Sequence, residues 1–171
     1  MGTTHAQTVE AGVWRADRSR SAVGFRVRHF GFATVCGQFE SFACRLEAGD
    51  SRFRIDGHVD VASVQTGNAI RDRRLRSEFF DTESYPSISL QARANKADRR
   101  LLGELSIRGV TRTVELGLTV DADPDGALRL RAEGKIQRSD FGLEWEALRE
   151  AGQLLVADEV RLLANVVLTH S

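Results

Sequence analysis

Four histidines, two cysteines and one Asp-x-Asp-x-Asp-Gly run are the residues from which catalysis or metal chemistry would have to be built. His5 and His170 stand near the chain ends, and His58 shares the outward face of an alternating stretch with Asp56 and Asp60. A zinc site needs ligands that converge on one point, whereas alternate residues of a strand spread along it. His29 falls on an apolar face, where a histidine is more often hydrogen-bonded and structural than a ligand or base. Asp121-Ala-Asp123-Pro-Asp125-Gly126 copies the first half of a calcium-binding loop. However, Pro124 interrupts it, Ala132 stands at the twelfth position, and both flanks alternate as strands do, so it reads as a hairpin turn. The chain has no GxSxG, HExxH or CxxC motif and no Gly-rich phosphate loop, and Ser77, Ser139 and Asp140 form no triad without a placed histidine. These residue types point away from an enzyme and from any metal or organic cofactor.

The densest chemistry lies in Thr66–Asp81. Arg71, Asp72, Arg73, Arg74 and Arg76 put five charges into six residues, and Phe79 and Phe80 follow. Asn68 is a suitable N-cap, and the spacing predicts a helix over 68–77. Ile70 and Leu75 are too few apolar positions to bury a helix face, so the element is expected to be a lid or plug. A charged helix joined to an aromatic pair suits the mouth of an apolar cavity; composition alone favours a solvated surface helix whose charges keep it soluble.

The elements that must position these residues are strands. At 171 residues, 42% apolar and 28% charged, one soluble domain is expected, with 1–12 as a flexible leader and 13–171 folded. Lys+Arg and Asp+Glu both number 24, so no global field favours nucleic acid. Residues 1–12 carry no signal-peptide pattern, and the longest apolar run, Leu162–Leu168, contains Asn165, so no membrane segment and a cytoplasmic protein are expected. Cys36 and Cys44 fit buried reduced thiols. In one extended strand they would be roughly 26 Å apart at about 3.3 Å per residue, beyond disulfide reach.

Strands are predicted at Val13–Asp17, Ala22–His29, Thr34–Leu46 with a bend at Gly37, and Phe53–Val61. After the helix, period two resumes from Ser87 almost without a break to Ile136, and a last strand runs Glu159–Thr169. Phe30-Gly31-Phe32 reads as a turn, and Ser139–Gly152 as a second break. About eight to ten strands, each with one apolar and one charged face, must bury the same side. Links of hairpin length exclude parallel βαβ units and favour an antiparallel up-and-down β-barrel. Gly57, Ala92, Ala94, Gly103, Ala132, Gly134 and Ala164 all fall on apolar faces. Such small residues leave room for a ligand, unless phenylalanines from neighbouring strands fill it.

In order along the chain, several segments resemble the YceI-like family, the lipocalin-like polyisoprenoid-binding proteins. They are Asp17–Phe25 with Val27-Arg28-His29, Gly37-Gln38-Phe39, Thr66-Gly67-Asn68, Arg71-Asp72, Leu75-Arg76-Ser77, Phe79-Phe80-Asp81 and Tyr85-Pro86. Gly103–Thr111 and Arg138-Ser139-Asp140-Phe141-Gly142-Leu143 follow. The resemblance implies a barrel of about eight strands that holds a long amphiphilic isoprenoid, such as a quinone or a polyprenyl phosphate, without a cofactor and often as a homodimer. On this reading the lumen is lined by Phe25, Val27, Val59, Leu90, Ala92, Leu105, Leu116, Leu118, Leu130 and Val166, with Phe79 and Phe141 from the family motifs. Arg71, Arg74 and His29 would meet a polar head at the mouth. The family's central signature usually carries a histidine beside the leucine; Arg74 stands there beside Leu75, which implies a more anionic head.

Overall fold

Period-two alternation of apolar and charged side chains turns nearly the whole chain into antiparallel strands with a common buried face. The computed structural model describes residues 9–29, 33–144 and 156–171. The turn expected at Phe30–Phe32 and the part of the second break beyond Glu144 lie outside them.

The strands are β1 (Gly12–Ala16), β2 (Ala22–His29), β3 (Ala33–Phe39), β4 (Phe42–Ala48), β5 (Arg52–Asp60), β6 (Val64–Gln65), β7 (Ser87–Asn95), β8 (Arg100–Ile107), β9 (Val110–Ala122), β10 (Leu128–Gln137) and β11 (Val156–His170). The helix α1 (Ala69–Arg74) continues as a π-helical turn, Leu75–Phe79. Strands β1-β4-β5-β7-β8-β9-β10-β11 form a closed antiparallel ring, because β11 pairs back onto β1. The expected eight-stranded barrel with one short helix is therefore what the chain builds. The expected single strand Thr34–Leu46 is instead β3 and β4. The chain reverses at Glu40-Ser41, so Cys36 and Cys44 sit on different strands, and Cys36 is exposed rather than buried.

Closure depends on β11. Its C-terminal end pairs with β1 (Ala16↔Leu168), and the rest of the same edge pairs with β2 (Phe25↔Leu162). At one end, here the floor, β1 completes the ring. At the other end, the mouth, β2 takes its place and leads to β3, which among the described residues meets only the two-residue β6 beyond it. The Val61–Phe80 excursion packs there: Val64 and Leu75 join Phe39, Phe42 and Val59 in one cluster.

The floor is solidly packed. Trp14, Leu46, Phe53, Ala92, Leu128 and Leu168 belong to one buried cluster that also takes in Val9. The folded part thus reaches back into the expected 1–12 leader, as Trp14 Nε1 donating to the Glu10 carbonyl at 3.1 Å also shows. Near the mouth a second cluster joins Val61, Phe80, Leu105, Ile107, Ile136, Phe141 and Leu143.

Gly24 of β2 lies so close to the Gly37 carbonyl of β3 that a side chain there would strike backbone, which cannot swing aside. Gly24→Ala is expected to lower the urea-unfolding stability by about 1–3 kcal/mol, the usual cost of overpacking. A midpoint within error of wild type would show that the hairpin can shift freely.

Candidate functional site

Between the floor cluster and the mouth cluster the barrel is not filled. A cavity of about 350 Å³ remains, within the size range of small-molecule sites. Along β10 its lining runs from Leu130 to Ile136, roughly 20 Å at about 3.3 Å per residue. Every barrel strand except β1 contributes inward-facing side chains.

The cavity borders Phe25, Val27, Val59, Leu90, Leu105, Leu116, Leu130 and Val166 of the expected lumen set, together with Arg71 and Phe79. Others lie elsewhere. Ala92 and Leu118 are buried in the packed floor, because they sit nearer the β1 end of their strands. Phe141, 2% exposed, packs into the mouth cluster against residues such as Ile107 and Ile136 and does not line the cavity. Arg74 points outward, where its guanidinium meets Glu78 at 3.5 Å one helical turn on. His29 pairs with Ala33 in the β2–β3 ladder, at the limit of the described residues.

Small residues prove a poor guide to empty space. Gly57, Ala132 and Ala164 border the cavity, but Ala92 and Ala94 belong to the floor. A side chain at Gly103 would meet Ala92 and Leu90, and one at Gly134 would meet Leu116. Those glycines are spaces already used by their neighbours.

Reading from spacing also missed some lining residues, among them Arg138 and Cys44. Parity would have found both. Arg138 continues the inward series Leu128, Leu130, Ala132, Gly134, Ile136, and Cys44 falls between the inward Phe42 and Leu46. His58 is exposed, as expected for its outward face, and borders the cavity beside Gly57.

Two devices hold the mouth. The first is the anchorage of α1. Asn68 Oδ1 caps it by accepting from the Arg71 N–H at 3.0 Å. Asp72, 3% exposed, accepts the Thr66 N–H at 3.0 Å and the Thr66 hydroxyl. Arg71 closes the loop by donating Nε to the Thr66 hydroxyl oxygen at 2.7 Å and Nη2 to the Thr66 carbonyl at 2.8 Å. A buried carboxylate is tolerable only with partners of this kind. The second device is aromatic: Phe25, Phe39, Phe80 and Phe79 follow one another at centroid separations of 5.8, 6.5 and 5.0 Å. Arg138 ties the far side, donating Nε to the Ala157 carbonyl at 3.1 Å and Nη1 to the Leu143 carbonyl at 2.9 Å.

Electrostatically the cavity is apolar with a cationic rim, since Arg71 and Arg138 both reach it. Burial, reinforced by the Asp56 carboxylate, pushes the Cys44 thiol up from 9.0 to about 11, so it is a neutral wall group at ordinary pH.

A closed antiparallel barrel around an apolar cavity, roofed by a short helix, is a lipocalin-like binding architecture. A family model for the YceI-like domain matches residues 14–168, and the chain belongs to that family. It is 30% identical over 154 residues to a UPF0312 protein of Photorhabdus laumondii, covering 81% of this chain and 80% of that one. It is 31% identical over 134 residues to protein YceI of an Escherichia coli strain, covering 71% and 70%. Among solved structures, BcnA of Burkholderia cenocepacia superposes with a TM-score of 0.78 at 22% identity, over 90% of this chain and 99% of that chain. A polyisoprenoid-binding domain from Saccharophagus degradans also gives 0.78, at 17% identity, over 95% and 100%. Among the described residues no helix is long and apolar enough to cross a membrane.

Two outcomes follow from this geometry. Asp72→Ala removes the acceptor of the Thr66 amide and hydroxyl. It is expected to speed amide exchange across 66–80 at least tenfold while leaving β7–β10 unchanged; uniform exchange would show that the anchor is not local. A thiol that titrates at 9.0 unfolded and about 11 folded binds its proton more tightly in the native state. Its contribution is therefore whole below pH 9 and disappears as pH rises to about 11. Stability of the wild type is expected to fall more steeply over that window than that of Cys44→Ala, and parallel pH curves would contradict the assignment.

Proposed function

We propose that this protein binds and carries a long amphiphilic isoprenoid, its chain in the cavity and its polar head at the mouth, and that it does so without catalysis or a cofactor. The observation that carries the reading is the cavity itself: space between two packed clusters, walled by aliphatic and aromatic side chains, that the protein's own residues leave empty. Membership of the YceI-like family and likeness in fold to a polyisoprenoid-binding domain support the ligand class. Burial of the chain would drive binding at roughly 0.8 kcal/mol per methylene before ordering costs are subtracted.

Arg71 and Arg138 border the same space, so the head is proposed to be anionic or strongly hydrogen-bond accepting, with guanidinium chemistry suited to phosphate. Arg74 acts at most from outside, through its ion pair with Glu78. Entry requires the Leu75–Phe80 roof to move, because Phe79 and Phe80 join β3 to the mouth cluster. A homodimer, which light scattering would register, belongs to the same reading.

The test is native mass spectrometry of the protein as purified, followed by extraction and identification of what is released. A stoichiometric isoprenoid or related amphiphile is the expected result. An apo mass with no uptake of prenols or quinones would overturn the reading. Ala132→Phe, on the lining, is expected to reduce uptake at least tenfold with the thermal transition kept cooperative. Ala92 is unsuited to that experiment, since it is buried in the packed floor and does not border the cavity.

A further inference from the structure

On the outer face of β5, β7 and β8, at the floor end, lies a cleft of about 550 Å³ separate from the lipid cavity. Arg52, Arg93, Arg99 and Arg100 line it, against Asp98 and Glu115. Both carboxylates are engaged: Glu115 pairs with Arg100 at 3.1 Å, and Asp98 accepts from Asn95 Nδ2 at 3.0 Å. The guanidiniums of Arg52, Arg93 and Arg99 have no hydrogen-bond or ion-pair partner among the described residues.

Strand register makes this arrangement costly. Arg93 stands directly opposite Arg54 across the β5–β7 ladder, with Leu102 on its other side. Like charges facing each other across strands are destabilising. Two acids flank Arg54, Glu47 directly opposite it on β4 and Asp56 at 3.7 Å, but both are at least a third exposed and Glu47 is already paired with Arg45, so they relieve little of it. Leu102, 59% exposed, sits within the same cluster. Net charge over the whole chain is zero, so this positive face is local, not a general basicity.

We propose that this cleft is a binding site for a phosphate-bearing anion. Guanidinium groups present planar, paired donors that match phosphate oxygens, and an anion held among Arg52, Arg93 and Arg99 would remove the repulsion that the sheet register imposes. A free phosphate compound and the head of an anionic phospholipid offer the same chemistry. The second would also give exposed Leu102 an apolar neighbour.

The full chain is titrated at low ionic strength with inorganic pyrophosphate by calorimetry, and tested for co-sedimentation with phosphatidylcholine vesicles with and without phosphatidylglycerol. The wild type is expected to bind at least one of the two anions, with binding weakened by salt. The triple variant Arg52→Gln, Arg93→Gln, Arg99→Gln is expected to lose at least tenfold in that affinity. Its own melting temperature, without anion, is expected to equal or exceed the wild type's, because the opposed charges are gone. Binding of pyrophosphate alone identifies a free anion as occupant. Binding of phosphatidylglycerol vesicles alone, weakened by Leu102→Ser, identifies the lipid head. No binding of either by the wild type, or unchanged binding by the folded triple variant, overturns the proposal.

Discussion

The closure of the sheet by β11 is the constraint on which the rest depends. Ten of its fifteen residues, Glu159–Leu168, pair with β10 along one edge, and its other edge pairs with two different strands, β1 at the floor and β2 towards the mouth. A strand edge left open in an apolar interior would strand its amides and carbonyls, so the change of partner on β11 has to be compensated wherever the ring is not completed by strands. At the floor no compensation is needed and the side chains interdigitate. At the mouth the ring gives way to the β2–β3 hairpin, and a helix, a π-helical turn and four phenylalanines make up the missing wall. The same constraint that closes the barrel thus divides it into a solid half and a hollow half.

That division explains why the hollow half is anchored by polar chemistry. A roof made of a helix with few apolar positions cannot hold itself down by burial, and α1 does not try to. Asp72 takes the hydrogen bonds of Thr66, while Arg71 returns others to the same residue, so the helix is tied to the end of β6 through one threonine. Arg71 serves two purposes at once: its donors fix the roof and its charge faces the cavity. On the opposite side Arg138 does the same between β10 and β11. An apolar chamber with its two rim cations already held by carbonyls and a hydroxyl presents fixed charge without needing to reorganise.

Much of this was legible in the sequence because period two is a strong signal. The strands, the barrel and the helix cap at Asn68 follow from alternation and from one capping side chain. What alternation cannot carry is depth. Leu116 and Leu118 share a face, belong to the same buried cluster and differ only in height along β9, yet Leu116 borders the cavity and Leu118 does not. The small residues misled for a related reason: Gly134 is small because Leu116 of the neighbouring strand leans into its place, a relation that exists only once the register is known. The break at Glu40-Ser41 has no glycine or proline to announce it, and missing it hid the inward position of Cys44. Arg138, by contrast, follows from parity alone, although a charged residue at a strand end more often faces solvent.

The hollow half also bears on how the molecule responds to compression. Unfolding abolishes internal void and lets water fill the space, so a native state that carries an empty chamber occupies more volume than its unfolded counterpart in proportion to that chamber. Where the apolar lining keeps water out, hydrostatic pressure would therefore bear more on the mouth half, whose packing is interrupted by a cavity of about 350 Å³, than on the densely packed floor. A guest that filled the chamber would cancel much of that volume difference, so the two states would differ in compressibility even where their backbones coincide.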